Sequence, residues 1–269
     1  MRRVSIFPIV LLLTLIGAVG CNSESELPED VVTTSTGEYV PNENEVAYEE
    51  YIAALDGNDS MASGNSLFYS KGEGEFAEVE FFVNEKNEMV KMTEFYTQVG
   101  QNSLTVAKKI FYFKEGKKFA TKELFEDGHG DDLGFVERVS YYDDNEKPIV
   151  TKRRKAPFEQ DLDYETFVVS EKHDCSVERA LQILNQEGDF NTTFQGFVDQ
   201  PDALYIIVGG SDPEAFTSSL IVQNIDATIA KLRRNELSMI GTQLIVDFET
   251  LENQGEGFEY QILKSVSIR

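Results

Sequence analysis

The hydrophobic positions between residues 66 and 155 alternate with polar ones in short segments, and this two-residue period is typical of β-strands. The segments are 66–70, 76–83, 89–97, 104–113, 118–126, 135–142 and 148–154. Turns rich in Gly, Asn and Asp separate them, as at 71–74 and 84–87. Short strands joined by such turns form hairpins. The pattern therefore predicts an antiparallel β-meander, in a domain that spans residues 46–170.

Aromatic pairs recur in this region with a period of 30 residues. The pairs are Phe81-Phe82, Phe111-Tyr112 and Tyr141-Tyr142. Each pair precedes a polar turn and then a charged strand, so one hairpin per 30 residues explains the period. The repeat over residues 81–156 resembles the hairpin repeats of MORN-like bacterial proteins. A meander whose strands merely have equal lengths would show the same period.

Two stretches have the spacing of amphipathic helices instead. The first has an apolar stripe at Tyr48, Tyr51, Ile52 and Leu55, and the residues at 56–57 end it. The second follows Ser176 and ends at Gly188, within a predicted connecting segment over residues 171–190. Its apolar stripe consists of Val177, Ala180, Leu181 and Leu184.

The last third of the chain predicts three strands, one helix and two further strands. The strands are expected at 193–199, 204–208, 216–223, 243–250 and 258–268, and the helix at 225–237 with Asn224 as its N-cap. This order over residues 191–269 resembles an OB-fold, a small barrel. The fold class expected for the whole chain is mainly β (α+β): an antiparallel meander domain followed by an OB-like βββαββ domain.

The composition of the chain limits which partners and metal sites are expected. The formal charge is −24, and residues 191–269 contain eleven acidic and five basic residues. A nucleic-acid partner is therefore not expected, because phosphate binding needs clustered Lys and Arg. Two Cys and two His are too few for a disulfide scaffold or a zinc module. The loop at 127–132 resembles a calcium loop, but Asp132 stands where Gly is required and Arg138 where Glu is required. We predict no metal and no cofactor.

The first twenty residues have the pattern of a secretory signal. Arg2 and Arg3 precede an uncharged apolar run that ends in small residues at Gly20. The sequence Ala18-Val19-Gly20-Cys21 resembles the lipobox of bacterial lipoproteins. The resemblance implies cleavage after Gly20 and a diacylglyceryl thioether on Cys21, which would anchor the chain in a membrane. The alternatives are a soluble secreted protein cut near Ala18 and an uncleaved N-terminal anchor.

An acidic tether is predicted after the signal, over residues 21–45. Residues 22–50 contain nine acids and no Lys or Arg, so self-repulsion would extend the first part of this stretch. The residues at 21–26 also resemble the surface-export signal of Bacteroidota lipoproteins. The expected location is therefore the cell envelope, as an outer-membrane lipoprotein, with the periplasmic and the surface side both open.

Aromatic side chains of the meander are the candidate binding residues. We select Phe82, Tyr96, Phe111, Tyr112 and Tyr142 as a possible binding face, because amphipathic rings favour recognition. Adjacent residues on a strand point to opposite faces, so rings lie on both sides of the sheet. The alternative interpretation is that residues 158–190, or the second domain, cover this surface.

Two further features could carry chemistry. Cys175 lies two residues from His173, which suggests a Cys–His nucleophile, but residues i and i+2 do not face each other on a helix, so a buried inert thiol is the preferred interpretation. The basic run at 152–155 could contact lipid phosphates or the acidic tether, or could simply be a solvated strand end.

Three functional hypotheses follow from these patterns. The first is a non-enzymatic envelope lipoprotein that binds a protein or glycan partner. The second is a carrier of an apolar molecule, which would need an apolar cavity under the aromatic sheet. The third is a glycan hydrolase, which would need two carboxylates roughly 5–10 Å apart in one cleft. The sequence contains no nucleophile elbow, P-loop, dinucleotide fingerprint or zinc spacing, and no catalytic residue is predicted.

Overall fold

The computed structural model describes residues 43–72, 74–99, 104–252 and 259–269. The predicted signal, its cleavage at Gly20, the lipidation at Cys21 and nearly all of the predicted tether lie outside the described residues. So does Phe258, the first residue of the last predicted strand. The described residues form one mostly antiparallel sheet with few helices, which confirms the mainly β fold class.

Fourteen strands and four helices make up the described part of the chain. The helices are α1 (Glu43–Asp56), α2 (Glu178–Asn185), α3 (Ala227–Arg234) and α4 (Glu236–Met239). The strands are β1 (Ala62–Asn65), β2 (Tyr69–Lys71), β3 (Glu75–Val83), β4 (Met89–Val99), β5 (Leu104–Lys114), β6 (Lys117–Asp127), β7 (Gly134–Tyr142), β8 (Pro148–Ala156), β9 (Val168–Ser170), β10 (Phe194–Asp199), β11 (Leu204–Gly209), β12 (Thr217–Val222), β13 (Leu244–Glu252) and β14 (Glu259–Ile268). Short 3₁₀ turns cover Gly130–Asp132, Glu159–Tyr164 and Gly188–Phe190.

Strands β2 to β8 pair in chain order, as the alternation of the sequence predicts. Two short strands were not predicted. Strand β1 pairs with β3 beside β2, and β9 pairs with β8 at the other edge of the sheet. The sequence of β1, Ala-Ser-Gly-Asn, has no apolar alternation, and both valines of β9 are exposed. Neither segment therefore carries the pattern by which strands are recognised.

The 30-residue period corresponds to one hairpin per repeat. Each of the hairpins β3–β4, β5–β6 and β7–β8 has a register shift at or next to its aromatic pair. The first and third turns also share their chemistry. Asn84 and Asp143 each accept two backbone N–H groups within their turn, and Asn87 and Glu146 adopt φ of 60° and 57°. Side-chain acceptors of this kind are what Asn and Asp contribute to turns.

Helix α1 covers one face of the meander. Its predicted stripe packs on Phe119, Tyr112 and Tyr141, and ion pairs hold both halves of the helix. Asp56 Oδ1 lies 2.7 Å from Lys91 Nζ, and Glu49 contacts Lys152. The phenols of Tyr112 and Tyr141 donate to these same carboxylates. Burial raises the pKa of both tyrosines. We call this side of the sheet the α1 face.

The C-terminal unit confirms the predicted βββαββ order. Strands β10, β11 and β12 form an antiparallel meander, β12 pairs in parallel with β14, and β14 pairs with β13. An antiparallel bridge from Thr193 to Gln243 joins the two ends of this arrangement. The helical segment differs in detail, because Asp226 instead of the predicted Asn224 is the N-cap of α3, and Ile225 precedes the helix.

One apolar core extends across both predicted units. It contains Met92 and Phe111 from the meander together with Ile206 and Leu220 from the C-terminal unit. Strand β12 also pairs with β2, and Tyr69 Oη donates to the carbonyl of Phe190 over 2.6 Å. The packing therefore joins residues on both sides of the predicted connecting segment. We call the side of the meander that faces this core the α2 face.

Helix α2 lies on the α2 face, and three residues of its predicted stripe, Val177, Ala180 and Leu184, pack against the shared core. Ala180 and Ile183 are buried, whereas Leu181 is 37% exposed. The helix ends at Gln186, which adopts a left-handed φ of 58°, two residues before the predicted stop at Gly188. Arg179, one residue before Ala180, contacts Glu94 of β4.

Candidate functional site

The five predicted binding residues do not share one face. The register places Phe82 and Tyr112 on the α1 face and Tyr96 and Phe111 on the α2 face, and Tyr142 also lies on the α2 face, where its hydroxyl contacts Thr121. Phe111, Tyr112 and Tyr142 are buried. The prediction that these three rings form an open binding surface is therefore wrong, because α1 and the core cover them. Phe82 and Tyr96 remain partly exposed.

Part of the α1 face is left uncovered, at the end of the meander away from α1. Val99, Leu104 and Val106 are exposed there on neighbouring strands, and Val99 pairs with Leu104. Phe68 is 44% exposed and stacks on Phe76 with 5.6 Å between ring centroids. This apolar strip is a surface and not a cavity, so it differs from the enclosed site that an apolar carrier needs.

A cleft of about 450 Å³ lies where the meander, α2 and the C-terminal unit meet. Charged and aromatic side chains dominate its lining, together with Cys175. The lining residues are Lys109, Glu123, His173, Asp174, Cys175, Ser176, Glu178, Arg179, Gln182, Asp189, Phe190 and Phe216. Junctions between units are frequent positions for ligand sites, and this volume lies within their usual range. We call it the α2 cleft.

Arg179 projects from α2 into a group of three aromatic rings. Its Cζ lies 5.5 Å from the centroid of Tyr96, 5.4 Å from that of Phe190 and 6.0 Å from that of Phe216. Each distance is within cation–π range. Phe190 and Phe216 are themselves 4.8 Å apart. We call these three rings the three-ring cage.

The guanidinium of Arg179 also donates to Glu94 of β4. Glu94 has no exposed surface, whereas the Arg179 side chain is 36% exposed. Burial lowers the pKa of Arg179, which remains charged because guanidinium groups are protonated in proteins. A buried carboxylate thus depends on one cation that reaches it from the cleft.

Lys109 of β5 lies beside the cage. Its Nζ is 5.1 Å from the centroid of Tyr96, on the same face of the sheet as Glu94, and it lines the cleft. Burial, and then the charge of Glu123, raise the pKa of Tyr96 to about 12. The ring therefore acts at neutral pH as an uncharged phenol between two cations.

Glu123 connects the histidine and cysteine of the cleft. His173 Nε2 lies 2.9 Å from Glu123 Oε2, and Arg138 Nη1 lies 3.4 Å from the same oxygen. The charge of Glu123 adds to burial in raising the pKa of the Cys175 thiol. His173 thus pairs with a carboxylate instead of activating the thiol. Cys175 is buried, as predicted, and burial raises its pKa to about 12.

We expect Cys175 to be unreactive in the folded protein. With Cys21→Ser as background, Cys175 is the one remaining thiol, and Ellman's reagent should label it near neutral pH only as fast as the chain unfolds. Its pKa is higher in the folded chain than the value of about 8.5 in an unfolded one. Folding stability should therefore decline from about pH 8.5 up to about pH 12, by at most roughly 1.4 kcal/mol per pH unit from this group.

The control for that measurement is Cys175→Ala, which removes the thiol contribution from the pH dependence of stability. Buried tyrosines add their own decline above about pH 10, so the difference between the two proteins isolates Cys175. Fast stoichiometric labelling of the native protein near neutral pH would show that the thiol is accessible and ionised.

The remaining predicted tyrosine has a structural role. Tyr142 Oη accepts the backbone N–H of Cys175 over 2.9 Å, and the ring lies 4.0 Å from Lys118 Nζ. Lys118 in turn donates to Asp174 Oδ1 and to the carbonyl of Cys175. Tyr142 and Lys118 therefore fix the segment that enters α2 and forms one wall of the cleft.

The basic run at 152–155 is divided between the two faces of β8. Lys152 contacts Glu49, and Arg154 contacts both Glu137 and Asp163. Lys155 donates to Asp132, in the loop that resembles a calcium site. These contacts show that three of the four basic side chains in the run have protein partners.

Among the described residues, no group of three or more potential metal ligands comes together.

Sequence reasoning missed the residues that shape the cleft, namely Glu94, Lys109, Arg179, Phe190 and Phe216. The sequence contains a recognisable pattern for two of these residues, Glu94 and Lys109. Glu94 falls between Met92 and Tyr96 on the inward side of a strongly apolar strand, and Lys109 falls between Ala107 and Phe111. A charge at an inward position of an alternating strand indicates a buried polar contact. Arg179 has no comparable local signal.

Comparison of the chain with protein-family models, with curated proteins and with solved structures found no match. The assignment of this site therefore depends on its geometry and chemistry.

Proposed function

We propose that this protein is a non-enzymatic binding protein of the bacterial cell envelope, anchored by a lipid on Cys21, whose ligand site is the α2 cleft. The observation that supports the ligand site is the cleft itself, because its lining combines Phe190 and Phe216 with charged side chains, one of which, Arg179, also contacts the ring of Tyr96. Ligand sites often lie where two units meet, and polar side chains in them fix the orientation of the ligand.

The state of the reactive side chains favours binding over catalysis. The imidazole of His173 pairs with Glu123, and the thiol of Cys175 is buried with a raised pKa. Asp174 pairs with Lys118. A glycan hydrolase needs one free carboxylate and one protonated carboxyl group facing a sugar. The carboxylates of Glu123 and Asp174 are instead tied to cations of the protein.

The alternative of an apolar carrier has less support. The rings that would line its site belong largely to the packed cores, and the cleft is lined mainly by charged groups.

The expected partners are a small ligand in the cleft and the membrane through the anchor. An envelope protein or glycan remains a partner of the wider hypothesis, and the acidity of the chain opposes nucleic acid.

The anchor is supported by the signal pattern and by the lipobox-like residues at 18–21. No helix within the described residues has the length and apolar character needed to cross a bilayer. Two or three acyl chains on one cysteine would hold the protein firmly, because each buried methylene contributes roughly 0.8 kcal/mol.

Replacing Cys21 with serine is expected to release the protein from membranes. The native chain should sediment with the envelope fraction and incorporate labelled palmitate, whereas Cys21→Ser should be soluble and unlabelled. Cys175→Ser is the matched control, because it changes the other cysteine and should leave membrane association intact. Mass spectrometry that finds an unmodified residue 21 in the mature native chain would contradict the anchor.

A further inference from the structure

The guanidinium of Arg179 occupies a site with the features of a cation receptor. Three rings surround it at 5.4–6.0 Å, and a fully buried carboxylate lies at its end. Aromatic rings attract cations through their negative faces, and cages of several rings recognise methylated ammonium groups. The arrangement therefore resembles a filled cation site in which the protein supplies its own cation.

A second observation is an unpaired oxygen on the carboxylate of this site. Glu94 is buried completely, yet within the described residues its Oε2 atom accepts no hydrogen bond. A buried carboxylate oxygen without a donor is costly, so such atoms call for a specific explanation. An additional N–H donor from a ligand would satisfy it.

The electrostatics of the cleft favour a cation over an anion. Four acidic residues line it beside Lys109 and Arg179, namely Glu123, Asp174, Glu178 and Asp189. Glu123 and Asp174 are paired with protein cations, so Glu178, Asp189 and the formal charge of −24 on the whole chain set the sign of the field. A field of this sign concentrates small cations near the protein and repels anions. The Arg179 side chain is 36% exposed, and Glu94 is the one carboxylate of the described residues that forms an ion pair with it.

We propose that the α2 cleft binds a small guanidinium or alkylammonium cation in the three-ring cage, at the place that the guanidinium of Arg179 fills in this structure. The inference rests on the proposed function, since it names the ligand class of the same cleft. Arg179 acts as a tethered competitor. It keeps the buried carboxylate neutralised when no ligand is present and moves toward solvent when a ligand enters.

Removing the competitor should expose the receptor. A tethered group competes at a high effective concentration, so Arg179→Ala should bind ethylguanidinium roughly tenfold or more tightly than the native protein. The double variant Glu94→Gln/Arg179→Ala keeps the empty cage but loses the carboxylate, and should lose this gain. Calorimetric titration of the full chain in detergent, with sodium chloride keeping the ionic strength constant, measures all three.

The sources of the cation can be separated in the same experiment. Agmatine and tetramethylammonium test free small cations, and a short peptide with one internal arginine tests a side chain of a partner protein. We expect the free cations to bind and the peptide to bind more weakly, because Gln182 and Asp189 also line the cleft and restrict a longer chain. Acetate should not bind. A peptide that binds more tightly than agmatine would overturn the assignment to a small cation.

A folding defect in Arg179→Ala does not leave the proposal untested. In the native protein, ethylguanidinium should shift the ring NMR signals of Tyr96 at millimolar concentration, and sodium at equal ionic strength should not. Ser176→Trp, which places a large side chain on the exposed rim of the cleft, should abolish the shift. The absence of a shift, or equal affinity of ethylguanidinium for the native protein and Arg179→Ala, would overturn the proposal.

Failure here can be distinguished from failure of the proposed function. Membrane fractionation of Cys21→Ser tests the anchor independently of any ligand. If neutral or anionic small molecules bind and Ser176→Trp blocks them, the cleft is a ligand site of another class. If nothing binds the cleft, both the site and its cation specificity are wrong.

Discussion

Replacing Arg179 with alanine is expected to destabilise the fold by about 3 kcal/mol. The reason is the carboxylate that the substitution leaves behind. Glu94 is completely buried, and Arg179 is the cation that neutralises it. Breaking a buried ion pair by removing one partner typically costs about 3–5 kcal/mol, because a charge stays in a poorly solvated place. The lower end of this range applies here, since water from the cleft can enter the position that the Arg179 side chain leaves.

Urea unfolding of three variants tests this explanation. Glu94→Gln/Arg179→Ala should recover much of the lost stability, because replacing Glu94 with glutamine removes the uncompensated charge. Arg233→Ala is the matched control. Its guanidinium makes an ion pair of 2.8 Å with Asp199 at the surface, and exposed pairs contribute roughly 0.2–1 kcal/mol. Equal losses for Arg179→Ala and Arg233→Ala would show that the buried charge is not the cause.

The meander could be predicted because each of its strands and turns is determined by residues that are adjacent in the sequence. The alternation of apolar and polar residues fixes each strand, and the turn residues fix where each strand ends. Asn84 and Asp143 illustrate this, since each satisfies the backbone of its own turn without help from distant residues. The order of elements in the last third follows from the same kind of pattern.

The covering of the rings was not predictable from that pattern. Alternation shows that Phe111 and Tyr112 point to opposite sides, but both sides look equally apolar along the strand. Helix α1 covers Tyr112, and residues of the C-terminal unit help to enclose Phe111. Which apolar surface is left open is decided by tertiary packing.

The candidate site depends on contacts between distant segments. Arg179 and Glu94 are 85 positions apart in the sequence, and Phe190 and Phe216 come from two further segments. The inward charge of Glu94 indicates that a partner is needed but does not identify it. Only the docking of α2 on the sheet selects Arg179, because nothing in the sequence of the helix shows that this residue, next to the buried Ala180, meets Glu94.

Replacing Phe111 with alanine is expected to destabilise the protein by about 3–5 kcal/mol, the usual cost of truncating a fully buried phenylalanine. Phe111 has no exposed surface and belongs to the core that both units share. The cavity left by the ring would lie between the central strands of the meander and residues of the C-terminal unit. We therefore expect both units to lose stability in a single unfolding transition, because the clustered core residues of the C-terminal unit all belong to this shared core.

Val106→Ala on the same strand is the matched control for Phe111→Ala. Its side chain is 60% exposed in the apolar strip, so its loss should change stability by less than about 0.5 kcal/mol. Far-ultraviolet circular dichroism follows the whole sheet, and hydrogen exchange of amides in β5 and β11 follows the two units separately. A Phe111→Ala protein in which β5 exchanges rapidly while β11 stays protected would show that the C-terminal unit folds on its own. That result would contradict a shared core that stabilises both units.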